Sequence, residues 1–424
     1  MPDPTLIGRR TVLAGSVAAS VASTFPGGVH AQGAGPEVKG VNLGYIALTD
    51  AAPLIVAKER GLFAKHGMPD VEVQKQASWG GTRDNLVLGG GSGGIDGAHL
   101  LTPMAYLIHT GRVVQNSTPV PMALVLRLNT NGQAISVSKA LMPSGAKLDS
   151  RPLKAMLSGK SENKVAMTFR GGTHDMWIRY WLAAGGIDPE RDVQTIVVPP
   201  PQMVANMKVG TMDAFCVGEP WNDQLVNQKL GYTACTTGEI WKDHPEKSLV
   251  MRGDWVGRNP RAAQALVAAV IEAQLWADKL ENKAELATML GKRAWFNVPP
   301  ADILPRSRGD VDYGDGRKVE ASPLRMKFWA DAASYPFPSH DLWFLTENQR
   351  WGILAADLDT KALVRGVNRE DLWRSAAAAA GAPASDLPAG PSRGVETFFD
   401  GIRFDPADPA AYLASLAIKK STAS

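Results

Sequence analysis

Residues 164–186 read KVAMTFRGGTHDMWIRYWLAAGG, and this stretch decides the fold. A short apolar run, Val165 to Phe169, breaks at Gly171-Gly172. It then passes through Thr173-His174-Asp175 into an amphipathic segment carrying Trp177, Ile178, Trp181 and Leu182. The pattern predicts strand, turn and helix, with Thr173 as the N-cap and Gly185-Gly186 as the stop. A helix start at the end of a strand presents unpaired N–H groups and the positive end of the helix dipole, which favours a small anion. His174 stands there as a further donor. On these residues alone, an ordinary strand-to-helix connection with a surface histidine is the commoner reading.

Upstream, Val38 to Ile46 predicts a first strand, and Asp50 a cap for a helix from Ala52 to Lys65 that stops at Gly67. Val71 to Lys75 alternates as a second strand and runs into Ser78-Trp79-Gly80-Gly81, with a helix from Thr82. Trp79 is thereby placed at the carboxyl end of a strand, where ligands of open α/β sheets bind, although a tryptophan there is more often packing. The segment Gly94-Ile95-Asp96-Gly97-Ala98, with Pro103 seven residues after Asp96, is echoed by Gly210-Thr211-Met212-Asp213-Ala214, with Pro220 seven after Asp213. Each closes a set that begins with strand, turn and helix, so two lobes built alike are expected. Val120 to Asn129 and Ala134 to Val137 read as strands on either side of the first crossing. The expected division is 38–130 with 236–420 for the first lobe and 131–235 for the second. Asn259 to Leu290 reads as helical, as do Asp341 to Trp351 and Lys361 to Ala380. The proline-rich tail from Pro383 is expected to wrap the surface.

The chain of 424 residues is long enough for two cores, and a formal charge of +3, dispersed along it, excludes a nucleic-acid binder. Beyond the N-terminus no run approaches the roughly 20 apolar residues of a membrane span. Gly8-Arg9-Arg10-Thr11-Val12-Leu13, a mildly apolar run and Val29-His30-Ala31 have the order of a twin-arginine export signal, residues 1–31, with a small-residue cleavage site. The signal holds no cysteine, so a periplasmic protein without a lipid anchor is expected. Cys216 and Cys235 are the whole cysteine complement; a disulfide and two buried free thiols are both open readings.

There is no GxSxG, no P-loop, no GxGxxG opening a helix, no HExxH and no CxxC. No metal, no cofactor and no catalytic constellation is expected, and two lobes across a cleft point to binding. The cleft candidates are Trp79, Gln133, His174, Gly218 and Lys247, each at or just after a predicted strand end or on a return loop. Together they would offer an aromatic surface, amide and imidazole donors, a backbone N–H and one cation, a set suited to a small monovalent oxyanion.

These stretches, together with GYIALTDAAPLIVAKERGLFAKHG (44–67), DVEVQKQASWGGTRDN (70–85), SHDLWFLTENQRWG (339–352) and SRGVETFFDGIRFDPADPAAYLASLAIKK (392–420), closely resemble the substrate-binding proteins of ABC-type nitrate/nitrite uptake systems. The resemblance runs from about Val38 to Lys420. It implies a type II periplasmic binding protein of two α/β lobes, a nitrate or nitrite ligand, a permease and ATPase complex in the inner membrane as partner, and a monomer. It also implies nitrate contacts from Trp79 in QASWGG, Gln133 in TNGQAI, His174 in GGTHDMW, Gly218 in VGEPWN and Lys247 in HPEKS. Similar bicarbonate-binding relatives carry an acidic residue at the lysine position and use calcium, so Lys247 implies nitrate without calcium. Lys247→Glu is then expected to abolish binding while the fold survives. If His174 is charged in the complex, affinity weakens as pH rises through its pKa. The runner-up readings are a bicarbonate or sulfonate receptor on the same fold and a nitrate sensor. An enzyme of the thiamine-pyrimidine synthase type would need a cysteine-rich segment that two separated cysteines do not supply.

Overall fold

Residues 35–420, apart from 160 and 161, are described by the computed structural model. The expectations for the export signal fall on residues 1–31 and lie outside the described residues. Ten strands carry the architecture: β1 (Gly40–Tyr45), β2 (Asp70–Lys75), β3 (Gly97–Leu101), β4 (Met122–Arg127), β5 (Gln133–Ser138), β6 (Lys164–Met167), β7 (Gln194–Val197), β8 (Ala214–Gly218), β9 (Gly231–Thr236) and β10 (Lys247–Arg252). They form two five-stranded sheets, ordered β2-β1-β3-β10-β4 and β7-β6-β8-β5-β9. In each sheet the first three strands are parallel and the last two pair antiparallel. The strand that arrives from the other lobe, β10 in the first sheet and β5 in the second, inserts between the third parallel strand and the edge. The echoed segments that carry Asp96 and Asp213 lead into β3 and β8, which hold equivalent places, so the echo in the sequence is the echo of a sheet.

The alternating DVEVQK of β2 buries Val71 and Val73 and exposes the residues between, as a period of two requires at an edge. Every residue of β4 is buried, because helices cover both of its faces. Several boundaries differ from the expectation. The helix predicted over 52–65 divides into Ala52–Glu59 and Leu62–Lys65 at Gly61, whose φ of +68° ends the first piece. The helix after β2 begins at Trp79, three residues before Thr82, because Ser78 accepts from the Gly81 N–H and takes the cap. The long pattern over 259–290 is cut after Asp278. There the Asp278 carboxylate accepts from the N–H groups of Phe328 and Ala330, holding a distant loop where the helix would have continued. In the opening stretch the cap is Gly172, and Thr173 is already the first helical residue.

The tail does more than wrap. Phe398, Phe404 and Tyr412 are buried. Phe398 packs on Tyr180 of the second lobe and on Trp241 and Trp343, with ring centres 5.0–5.6 Å apart. Tyr180 donates to Asp400, and Asn348 donates to the Gly171 carbonyl. Arg306 pairs with Glu219 at 2.7 Å and Asp223 at 3.3 Å. The C-terminal third therefore grips both sheets. Among the described residues no helix is long and apolar enough to cross a membrane.

Cys216 and Cys235 are free and buried. Ile135 pairs with Cys216 on one side and Cys235 on the other, so a whole strand separates the thiols. Two strand spacings put their Cα atoms about 10 Å apart, beyond the roughly 7 Å limit for a disulfide. Unfolding in denaturant without reductant is expected to expose two titratable thiols per chain; a chain with none would require a different register in this sheet.

Candidate functional site

The starts of β5 and β10 lie at the carboxyl ends of their parallel neighbours, because an antiparallel strand begins where a parallel one stops. Gln133 opens β5 opposite Gly218, the last residue of β8. Lys247 opens β10 opposite Leu101, the last residue of β3. The helix Thr173–Ala184 begins just beyond β6 and delivers His174 to the same place. Gln133, His174, Gly218 and Lys247 meet here, at the crevice where open α/β sheets bind ligands, and Trp79 adjoins them through His99.

The contacts are close and dry. His174 Nε2 lies 2.7 Å from Gln133 Oε1, and Thr168 Oγ1 lies 2.5 Å from His174 Nδ1. The Gln133 amide donates to Asp50 Oδ2 at 3.0 Å, which orients its oxygen toward the histidine. His174 is thus the Nε2–H tautomer, with Nδ1 accepting from Thr168. A Cβ on Gly218 would stand 2.5 Å from Gln133 Oε1 and 3.2 Å from Asp50 Oδ2. Trp79 is fully buried, its ring centre 5.3 Å from that of His99, and its indole N–H has no partner. An unpaired buried donor is costly unless something accepts from it.

Two residues that sequence reasoning did not place in the site, Asp50 and Glu246, complete it. Asp50, read as a helix cap, instead accepts from His99 Nε2 at 2.6 Å and from Gln133, and pairs with Lys247 Nζ at 3.1 Å. Glu246 pairs with Lys247 Nζ at 3.0 Å and accepts from the Trp177 indole at 3.1 Å. Asp50, Glu246, His99, His174 and Lys247 all have fully buried side chains. Their one sequence signal was a charge in an apolar setting: Asp50 interrupts YIALTDAAPLIVA, and Glu246-Lys247 open a buried strand.

Burial is the largest influence on each titrating group. It pushes the Asp50 carboxyl up, but Lys247 and His99 outweigh it and leave Asp50 well below the usual carboxylate range. It pushes Glu246 up, and Lys247 recovers only part of that, so Glu246 stays above its ordinary value. It opposes the charge on Lys247, but Asp50 and Glu246 more than restore it. It drives His174 far below its ordinary value, with repulsion from Lys247 in the same direction, and brings His244 down to about 3. His174 is therefore a neutral donor. The expected weakening of affinity through its titration is corrected: that titration lies in the acid range, where His174 would gain charge only far below neutrality.

Two α/β lobes with a dry cluster of donors and one lysine at the strand ends define a periplasmic-binding-protein fold. A sequence model of the NMT1-like family matches residues 34–291, and the chain belongs to that family. The nitrate/nitrite binding protein NrtA of Synechocystis sp. is 61% identical over 385 residues, covering 91% of this chain and 86% of the relative. The crystal structure of the periplasmic nitrate-binding protein NrtA from Synechocystis PCC 6803 superposes with a TM-score of 0.90 at 60% identity, covering 91% of this chain and all of that one. The bicarbonate-binding protein CmpA of Synechococcus elongatus is more distant, at 42% over 398 residues, covering 91% of this chain and 88% of the relative. The nitrate import ATP-binding protein NrtC of Synechocystis sp. is 35% identical over 389 residues, which cover 92% of this chain and 57% of that protein.

Proposed function

We propose that this protein captures nitrate, and nitrite, between its lobes and delivers it to an ATP-driven importer. The carrying observation is the approach of Lys247 Nζ to within 3.4 Å of His174 Nε2 at the strand ends, with Gly218 packed against Gln133 and Asp50 and with Trp79, whose indole N–H is unpartnered, against His99. The 61% identity to a nitrate/nitrite binding protein, against 42% to a bicarbonate-binding one, supports the choice of anion. A micromolar complex requires about −8 kcal/mol. A charge-assisted bond from Lys247 contributes about 1.5–3 kcal/mol and each neutral donor about 0.5–1.5 kcal/mol, all strengthened in a water-free cleft. Bonds from Lys247, His174, Trp79, Gln133 and the Gly218 backbone sum to about 3.5–9 kcal/mol, so their upper range reaches that total without a metal.

Titration calorimetry of the mature protein with nitrate, nitrite and bicarbonate, each with and without calcium, is the test. Nitrate binding that calcium leaves unchanged is the expected result; bicarbonate binding that depends on calcium would replace this reading by the bicarbonate one. Trp79→Phe removes only the indole N–H and is expected to weaken nitrate by about 5- to 30-fold, the worth of roughly 1–2 kcal/mol. Unchanged affinity in that variant would make Trp79 a packing residue. A permease with its ATPase is the partner this role requires, and a freely diffusing monomer exported through the Arg9-Arg10 signal is the form in which it would act.

A further inference from the structure

The site holds a charge imbalance that an anion would worsen. Glu246 faces Lys247 from its own segment, Asp50 from the loop after β1, and Thr173, His174 and Trp177 from the helix after β6. Cys216 of β8 also feels its charge. His99 faces Asp50 from β3, and Arg127 of β4 is taken by Asp341 at 2.7 Å. Burial holds His99 as well as His174 and His244 below the ordinary histidine value, so with the histidines neutral two carboxylates oppose one ammonium and the buried cluster carries a net negative charge before any ligand enters. Burying a second uncompensated negative charge in such a place is strongly unfavourable.

Nitrate is the base of a strong acid and cannot carry the compensating proton itself. The protein must. When Lys247 turns an N–H toward the ligand, it loosens its hold on one of its two carboxylates. Asp50 keeps His99 and Gln133 as donors. Glu246 Oε2 loses the lysine, while Oε1 remains on the Trp177 indole. We infer that capture of a monovalent oxyanion in this cleft takes up one proton from solution, and that Glu246 Oε2 receives it. The inference rests on the reading of the cleft as an anion site. It makes Glu246 a ligand-linked acid: as a carboxylic acid it can be neutral beside the anion and leave Lys247 free for it.

The sign follows from linkage. Binding that takes up a proton loses affinity as pH rises above the pKa of the free Glu246, by about tenfold per pH unit, until the pKa in the complex is passed. Below the free value affinity is flat. Burial raises the free value above the ordinary glutamate range, which moves the window toward neutrality.

The test is nitrate calorimetry on the mature protein in buffers of differing ionisation enthalpy, repeated across pH. The wild type is expected to take up close to one proton per nitrate on the falling limb. Glu246→Gln is expected to take up close to none, to show an affinity independent of pH, and to exceed the wild type at the alkaline end. Nitrate binding by the wild type with no proton exchanged across the range overturns this inference alone, whether or not the variant folds. Proton uptake that persists in Glu246→Gln overturns the assignment to Glu246. No nitrate binding in the wild type at any pH overturns the nitrate reading itself, a result distinguishable from either of the others.

Discussion

Lys247→Gln is expected to lose nitrate binding, by at least about 100-fold, and to melt well below the parent protein. Glutamine keeps the length of the side chain and a donor but removes the charge. The ligand loses its charge-assisted bond, and Asp50 and Glu246 lose the cation that both contact within 3.1 Å. Breaking a buried pair by removing one partner costs about 3–5 kcal/mol of stability. Part of that cost is relieved if Glu246 protonates. Lys247→Glu is harsher than the sequence reading expected: it sets three carboxyl groups in a dry site, and survival of the fold is no longer expected at neutral pH. Calorimetry and thermal melts, with circular dichroism to verify folding, check both. A folded Lys247→Gln with near-normal nitrate affinity would remove the lysine from the site.

Gly218→Ala is expected to reduce nitrate affinity by at least about 30-fold and to lower the melting temperature as well, since overpacking a filled site costs about 1–3 kcal/mol. The backbone at Gly218 is not left-handed, so alanine strains nothing there. The added methyl is the whole effect. It would stand 2.5 Å from Gln133 Oε1, closer than real Cβ contacts allow, and would push the amide off both His174 and Asp50. Gly257→Ala, where nothing lies within 4 Å of the added carbon, is the matched control. Equal affinity in the two variants would place the ligand elsewhere.

The opening strand, turn and helix were legible because glycine punctuation and apolar spacing are local properties, and the structure moves only the cap, from Thr173 to Gly172. The likeness of the lobes was legible for a related reason: Asp96 and Asp213 each stand at the entry to a third strand, and the spacing to Pro103 and Pro220 repeats. Trp79, Gln133, His174, Gly218 and Lys247 were named through strand ends and resemblance; the sheets bring the last four together, with Trp79 against His99 beside them. Asp50 and Glu246 were not named. Their role depends on a contact between residues 50 and 247 that exists only when β10 inserts beside β3, and no local pattern records an insertion. Asp50 also fits the grammar of a helix cap, which hid it. The break after Asp278 escaped for the same reason, since its partners are the N–H groups of residues 328 and 330.

Around the site, the Thr49 N–H of one lobe donates to the Glu219 carbonyl of the other at 2.8 Å, and the Trp221 indole donates to the Ala47 carbonyl at 3.1 Å. The first of these joins main chain to main chain, so no exchange of a non-proline side chain deletes its donor or its acceptor. Closure and recognition are thereby written in different alphabets: the clasp in the backbone, the choice of ion in Asp50, Glu246 and Lys247. A descendant of this chain could trade its lysine and carboxylates for another charge pattern and still shut on whatever it catches.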